Sequence, residues 1–292
     1  MGGPPEFGGF SNVDASGAPE GYAGYLDAVR DVGAVAEWKE RSFALLEPRP
    51  GAVLLDVGCG TGDDVRALAP RVAPGGRVIG IDASAAMIEE AHRRGAAEGV
   101  ELRVGDATRL DLSDDAVDGA RSERTLQHLD RPEAAVTEMV RVVRPGGWVV
   151  LAEPDWATLV VDPCDPALGR ELARSASERV RSGTVGRRLR GMLVAAGLAD
   201  VGVAARVLLV SDVVRARLLF DLDGALERAV AAGRVARGDA DSWRSDVDRA
   251  AEEGRHLAAM TAFMAWGRVP LRPRPRRSGT LAARQHLTDQ GW

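Results

Sequence analysis

The sequence predicts an α/β protein built on a doubly wound, mostly parallel sheet, and three observations carry that prediction. An apolar run from Ala52 to Leu55 reads as a buried strand and leads into Asp56-Val57-Gly58-Cys59-Gly60-Thr61-Gly62, a turn with glycine at alternate positions. Short apolar strands then alternate with helical stretches, the pattern that covers both faces of a parallel sheet with helices. Finally, 45% hydrophobic content over 292 residues suits one large globular domain, and no apolar run approaches the ~18 residues of a membrane span.

The glycine turn narrows the ligand. Without a Cβ, glycine accepts positive φ and lets a ligand lie against the main chain. A dinucleotide fingerprint would place its third glycine at position 63, where Asp63 stands. Asp63 and Asp64 also occupy the positive end of the helix that follows, where a phosphate would have to sit. A phosphate loop needs a lysine in the turn, and the one lysine of the chain is Lys39. A cationic or zwitterionic ligand fits these residues.

Asp56, Gly58, Gly60 and Gly62 match in full the first motif of class I S-adenosylmethionine (SAM)-dependent methyltransferases, which the chain resembles. Later landmarks keep the family's order. The strand Arg77 to Asp82 ends on an acid, Val100 to Val104 runs into Gly105-Asp106-Ala107, and Arg144-Pro145-Gly146-Gly147 turns into a strand ending near Leu151. The resemblance covers about Ala52 to Trp156 and implies a Rossmann-like, seven-stranded sheet whose last strand is antiparallel, with N-terminal and inserted helices as a lid. It implies SAM as cofactor and S-adenosylhomocysteine (SAH) as product. By it, Asp82 accepts the ribose hydroxyls, with Ala83 beside it. Met87, Asp106 and Ala107 meet the adenine, and Glu123 joins the cofactor set.

In chain order, Met1 to Gly9 reads as a flexible Gly/Pro segment and residues 10–47 as a helical lid holding both tyrosines, Tyr22 and Tyr25, and a second helix from Val32 to Leu46. The core spans 48–269. Ser84 caps the helix Ala85 to Ala97, and Val117 to Arg121 forms a weak fourth strand. Asp130 and Glu133 read as a capping pair for the helix ending near Val143. Glu153-Pro154-Asp155-Trp156 is expected to leave the sheet, opening a helical insertion over about 157–185, with a second over 212–255. Gly197 stops a helix before the strand Val201 to Val210. His256 to Trp266, read as a strand, would complete the sheet. Residues 270–292 alternate proline and arginine at first and read as a flexible basic tail.

A net charge of −5 argues against general nucleic-acid binding, and Cys59 and Cys164 are too few for a disulfide framework. With no membrane span and no signal sequence visible, the cytoplasm is the expected compartment. No metal cluster is evident, so metal-independent transfer is expected, by a monomer or a homodimer. The implied chemistry is attack by a small-molecule acceptor on the sulfonium methyl, at oxygen, nitrogen or carbon, in bacterial specialised metabolism. Positioning and exclusion of water supply most of what such a reaction needs. A phenol acceptor would add roughly 4 kcal/mol for deprotonation at neutral pH and so favour a base. His128 is the candidate base, against a structural role. Tyr22, Tyr25, Trp38, Asp155 and Trp156 are candidate acceptor residues; the alternative for Tyr22, Tyr25 and Trp38 is docking of the helices onto the core, and for Asp155 an ordinary loop carboxylate. Two other readings stay open: a methyltransferase-fold protein that binds SAM without transferring methyl, as a cyclase or binding module, and a protein or RNA methyltransferase.

Overall fold

The computed structural model describes residues 13–15, 19–30, 33–95 and 97–271, so the expectations for Met1 to Gly9 and for nearly all of the tail lie outside the described residues. Two α-helices precede the sheet among the described residues, α1 (Pro19–Arg30) and α2 (Gly33–Leu45). The core follows as β1 (Val53–Val57), α3 (Asp63–Val72), β2 (Arg77–Asp82), α4 (Ala85–Arg93), β3 (Val100–Val104), β4 (Val117–Glu123), α5 (Pro132–Val142) and β5 (Val143–Asp162). Then come α6 (Pro166–Glu178), α7 (Leu189–Ala195), β6 (Ala199–Val210), α8 (Val213–Phe220), α9 (Leu222–Ala231), α10 (Arg237–Glu252) and β7 (Leu257–Arg268). The seven strands form one sheet in the order β3-β2-β1-β4-β5-β7-β6. The first five are mutually parallel, and β7 runs antiparallel to both β5 and β6. The Rossmann-like α/β fold with its antiparallel closing strand is the one expected.

Alternation along each strand divides the core. Leu55, Val57, Ile79 and Ile81 face α5 and α7, whereas Leu54 and Val78 face α2 and α3 through Phe43, Leu46, Val65 and Leu68. A third apolar cluster joins α6, α8, α9 and α10 to the far half of the antiparallel strands through Leu159, Val210, Ala258 and Met260. Tyr25 and Trp156 belong to it, which ties α1 to this helical region.

Several expectations are corrected. The fourth strand reaches Glu123 and is buried almost throughout, despite carrying Asp118 and Arg121. Its charges are satisfied internally: Asp118 accepts from Arg49 at 2.6 Å and from the Val53 amide at 2.8 Å, so the strand tolerates residues that argue against burial. The fifth strand does not stop at Trp156 but continues to Asp162, because β7 supplies its hydrogen-bond partners beyond a register shift between Asp155 and Val160. Residues 157–162 are therefore strand, and the first insertion begins at α6. The helix after β4 is capped without a capping box. Its N-cap is Arg131, and Asp130 and Glu133 instead form ion pairs with Arg181 and Arg188. The helix from Ala85 ends at Arg93, four residues early. Ser84 does cap it, accepting from the Met87 amide at 3.1 Å, and Gly197 does follow α7 at φ +81°. A residue from far upstream adds to that cap, as Asp14 accepts from the Ala85 and Ala86 amides at 3.0 and 3.1 Å.

Candidate active site

The strand order reverses at β1, with β2 on one side and β4 on the other, and ligands of doubly wound sheets bind outside the C-terminal strand ends at that point. A cavity of about 400 Å³ lies there. Asp56, Gly58, Gly60, Asp82, Ala83, Met87, Asp106, Ala107, Glu123 and His128 all line it. The sequence-predicted cofactor residues thus converge, apart from Gly62, which is off the lining and turns the chain at φ +74° into α3.

The turn after β1 is held open by its glycines. Gly58 sits at φ +76°, and a Cβ there would come within 2.0 Å of the Thr125 hydroxyl, so the turn packs directly on the loop after β4. Gly60 donates its amide to Asp82 Oδ2 at 2.8 Å, and Ser84 donates to Oδ1 at 2.9 Å. Two backbone donors thereby fix the Asp82 carboxylate at the end of β2, with the other lone pairs of both oxygens left to accept a diol. Burial pushes its pKa up, against the two amide bonds that pull it down. Met87, 2% exposed, and Val13 make the apolar wall below. Asp106 spends one oxygen on its own turn, accepting from the Thr108 amide and hydroxyl at 2.7 and 2.8 Å.

Sequence reading missed the cation at the centre. Arg121 is 1% exposed and pairs with Asp56 at 3.0 Å, with Asp64 at 2.8 Å and with Glu123. Its guanidinium also lies 5.0 Å from the Phe43 ring centroid, and Lys39 holds the outer face of Asp64 at 2.6 Å. Burial raises the Asp56 pKa against the pull of Arg121, while Asp64, though buried, is held well below the usual range by Arg121 and Lys39. Asp56 and Arg121 are register partners on adjacent strands, a pairing that strand-by-strand reading does not reveal. Glu123 therefore reaches the cavity as an ion-paired carboxylate.

His128 lines the cavity, but burial and the surrounding Arg179, Arg124 and Arg181 push its pKa down to about 3. Such an imidazole stays neutral at pH 7 and has little affinity for a proton, which does not suit the base expected of it. Among the acceptor candidates, Tyr25 and Trp156 line the main cavity. Trp38 does not. It lines a smaller, mostly apolar cavity of about 80 Å³, with Leu219, Phe220 and Met260, that shares Tyr25, Glu123, Arg124 and Trp156 with the first. Tyr22 packs with Val13 and Met87, outside both cavities. Asp155 is fully buried and grips Arg187 through both oxygens, so it too stays off both linings. Among the described residues no group of His, Cys, Asp and Glu is arranged to hold a metal ion.

A family model described as a methyltransferase domain matches residues 55–151, the segment from β1 to the middle of β5. A protein of Streptomyces fradiae, described as an uncharacterized 37.1 kDa protein in transposon TN4556, is 38% identical over 242 residues, which is 82% of this chain and 69% of that protein. The chain belongs to the class I SAM-dependent methyltransferases. Demethylmenaquinone methyltransferase of Desulfitobacterium hafniense is 37% identical over 117 residues, 39% of this chain and 46% of that enzyme. Similarity to such methyltransferases thus spans about half their length. Among solved structures, the YcgJ protein of Bacillus subtilis superposes with a TM-score of 0.57 at 21% identity, over 80% of this chain and all of that one. That likeness is one of fold. SAM is the cofactor of this methyltransferase family, and the glycine turn, the amide-fixed Asp82 and the Met87 wall fit it.

Proposed function

We propose that the chain transfers the methyl group of SAM to a small-molecule acceptor, at oxygen, nitrogen or carbon. The observation that carries this reading is the pair of adjoining cavities: one walled by the cofactor motifs, the other lined mostly by apolar side chains, with Tyr25 and Trp156 in both. When bound, SAM supplies a methyl group activated by its positive sulfur and open to in-line displacement. The turn from Gly58 to Gly62 would receive the amino-acid part, Asp82 the ribose hydroxyls, and Met87 with Ala107 the adenine. Tyr25 and Trp156 would wall the acceptor and exclude water, so that nearness and desolvation lower the barrier. No strong base is needed from His128, and Glu153, with its pKa raised to about 8 by burial, holds its proton at neutral pH.

Isothermal titration with SAH tests the cofactor half. Asp82→Ala removes a charge-assisted acceptor of two hydroxyls, a loss of about 1.5–3 kcal/mol, and is expected to weaken binding at least tenfold. Unchanged affinity in that variant overturns the assignment. A metabolite screen with methyl-labelled SAM tests transfer, for which a labelled product carrying one added methyl is the expected result.

A further inference from the structure

The main cavity is electrically two-sided. Its carboxylates up to the end of β4 form the cofactor half. Beyond Glu123 the charged lining changes sign: Arg124, Arg131, Arg179 and Arg181 line it, with Asp130 as the one acid among the described residues there. Asp130 is already spent on Arg181, and Arg179 lies 3.8 Å from the Trp156 ring centroid with Asp221 3.2 Å away.

Arg124 differs from Arg179 and Arg181 in its pairing, and from Arg131 in lining both cavities. It forms no ion pair with any described carboxylate, its Nε is enclosed without a hydrogen-bond partner, and it lines both cavities, where the guanidinium meets the Tyr25 hydroxyl. Its backbone sits at φ +54°, a left-handed conformation that a non-glycine residue adopts only when its surroundings impose it, and that concentrates at functional sites. The amide of Arg124 donates to the Ala152 carbonyl at 2.9 Å, which fixes the residue at the junction. On one side of that junction lie Leu219, Phe220, Met260 and Trp38. On the other lies the space next to the cofactor half.

We infer that the acceptor is an amphipathic anion, an apolar body carrying a carboxylate or phosphate group, and that Arg124 is the residue that recognises the anion. This rests on the methyl-transfer reading above and specifies its acceptor. A planar guanidinium presents a fork of donors matched to carboxylate and phosphate oxygens, and it is less strongly hydrated than an ammonium, so a half-buried arginine that meets a tyrosine hydroxyl but no described carboxylate is suited to an incoming anion. The apolar walls take the body, and the cation selects the end.

The test uses the full chain saturated with SAH and titrated with octanoate, octyl phosphate and 1-octanol. At least one anion is expected to bind tenfold or more tightly than the alcohol, and the better of the two identifies the head group. Arg124→Gln should weaken that anion at least tenfold while changing octanol and SAH affinity less than twofold, and Arg124→Lys should recover part of the loss. The inference is overturned if octanol binds as well as both anions, if Arg124→Gln leaves anion affinity unchanged, or if SAH binds and none of the three probes does. Failure of SAH itself to bind would instead strike the cofactor assignment, and this inference with it.

Discussion

Glu153 shows how a single side chain can serve the site by holding a loop in place. It is 1% exposed, and its Oε1 accepts from the Thr125 and Leu126 amides at 2.8 and 2.7 Å, pinning the loop after β4 to β5. Burial raises its pKa from 4.5 to about 8, against those amide bonds. Because the folded pKa lies above the unfolded one, the contribution to stability is fully present below pH 4.5 and is lost as pH rises toward 8. By pH 7 the loss is about 3 kcal/mol, at 1.36 kcal/mol for each pH step. Glu153→Gln keeps the acceptor oxygen and cannot ionise. Denaturant unfolding at pH 5 and pH 8 should therefore show wild type losing stability relative to the variant. A parallel change in both proteins would contradict the assignment. The same scale explains what strand-by-strand reading left out: Asp56 was legible as a motif acid, but its partner Arg121 was not, because a lone arginine in a short apolar strand carries no mark of what lies beside it.

At the scale of elements, the helices beyond β5 form a layer of their own over the extended antiparallel strands. α10 reads as acidic and arginine-rich, yet Ala240, Trp243, Val247 and Ala250 recur at helical spacing and are all buried. Trp243 is 3% exposed and donates to the Pro163 carbonyl at 3.0 Å, closing α10 on the end of β5. Trp243→Ala should cost about 3–5 kcal/mol in unfolding free energy, the range for removing a buried aromatic. Because it lies off the cavity linings, SAH affinity measured under native conditions should stay within twofold. Weakened SAH binding in a folded variant would mean that the helical layer and the cofactor half act as one unit. The extension of β5 to Asp162 was not legible for a related reason. Pro154 and Asp155 look like an exit from a sheet, and only a distant antiparallel partner, β7, keeps the strand going past them.

For the whole molecule, the cofactor groups come from turns far apart in sequence that folding brings to one cavity, so ligand binding and global stability are linked. SAH at 100 times its dissociation constant should add about 2.7 kcal/mol. For a chain of this size that is a rise of roughly 5 °C in melting temperature. In Asp82→Ala, with affinity lowered tenfold, the rise at the same SAH concentration should be about half as large. Thermal denaturation with and without SAH checks this. An equal rise in the variant would place the ligand elsewhere.

The sequence by itself determined the sheet class, the glycine turn, the acid at the end of each cofactor strand and the Ser84 cap, because each depends on residues close together in the chain: a period of two, a positive φ, a side chain reaching three residues ahead. Tertiary structure decided the rest. It spent Asp155 on Arg187, packed Tyr22 beneath α4, surrounded His128 with arginines and left Arg124 without a carboxylate. The reason is physical: the charge, proton affinity and reach of a side chain are set by neighbours in space and by loss of water, and here those neighbours lie tens to hundreds of residues away.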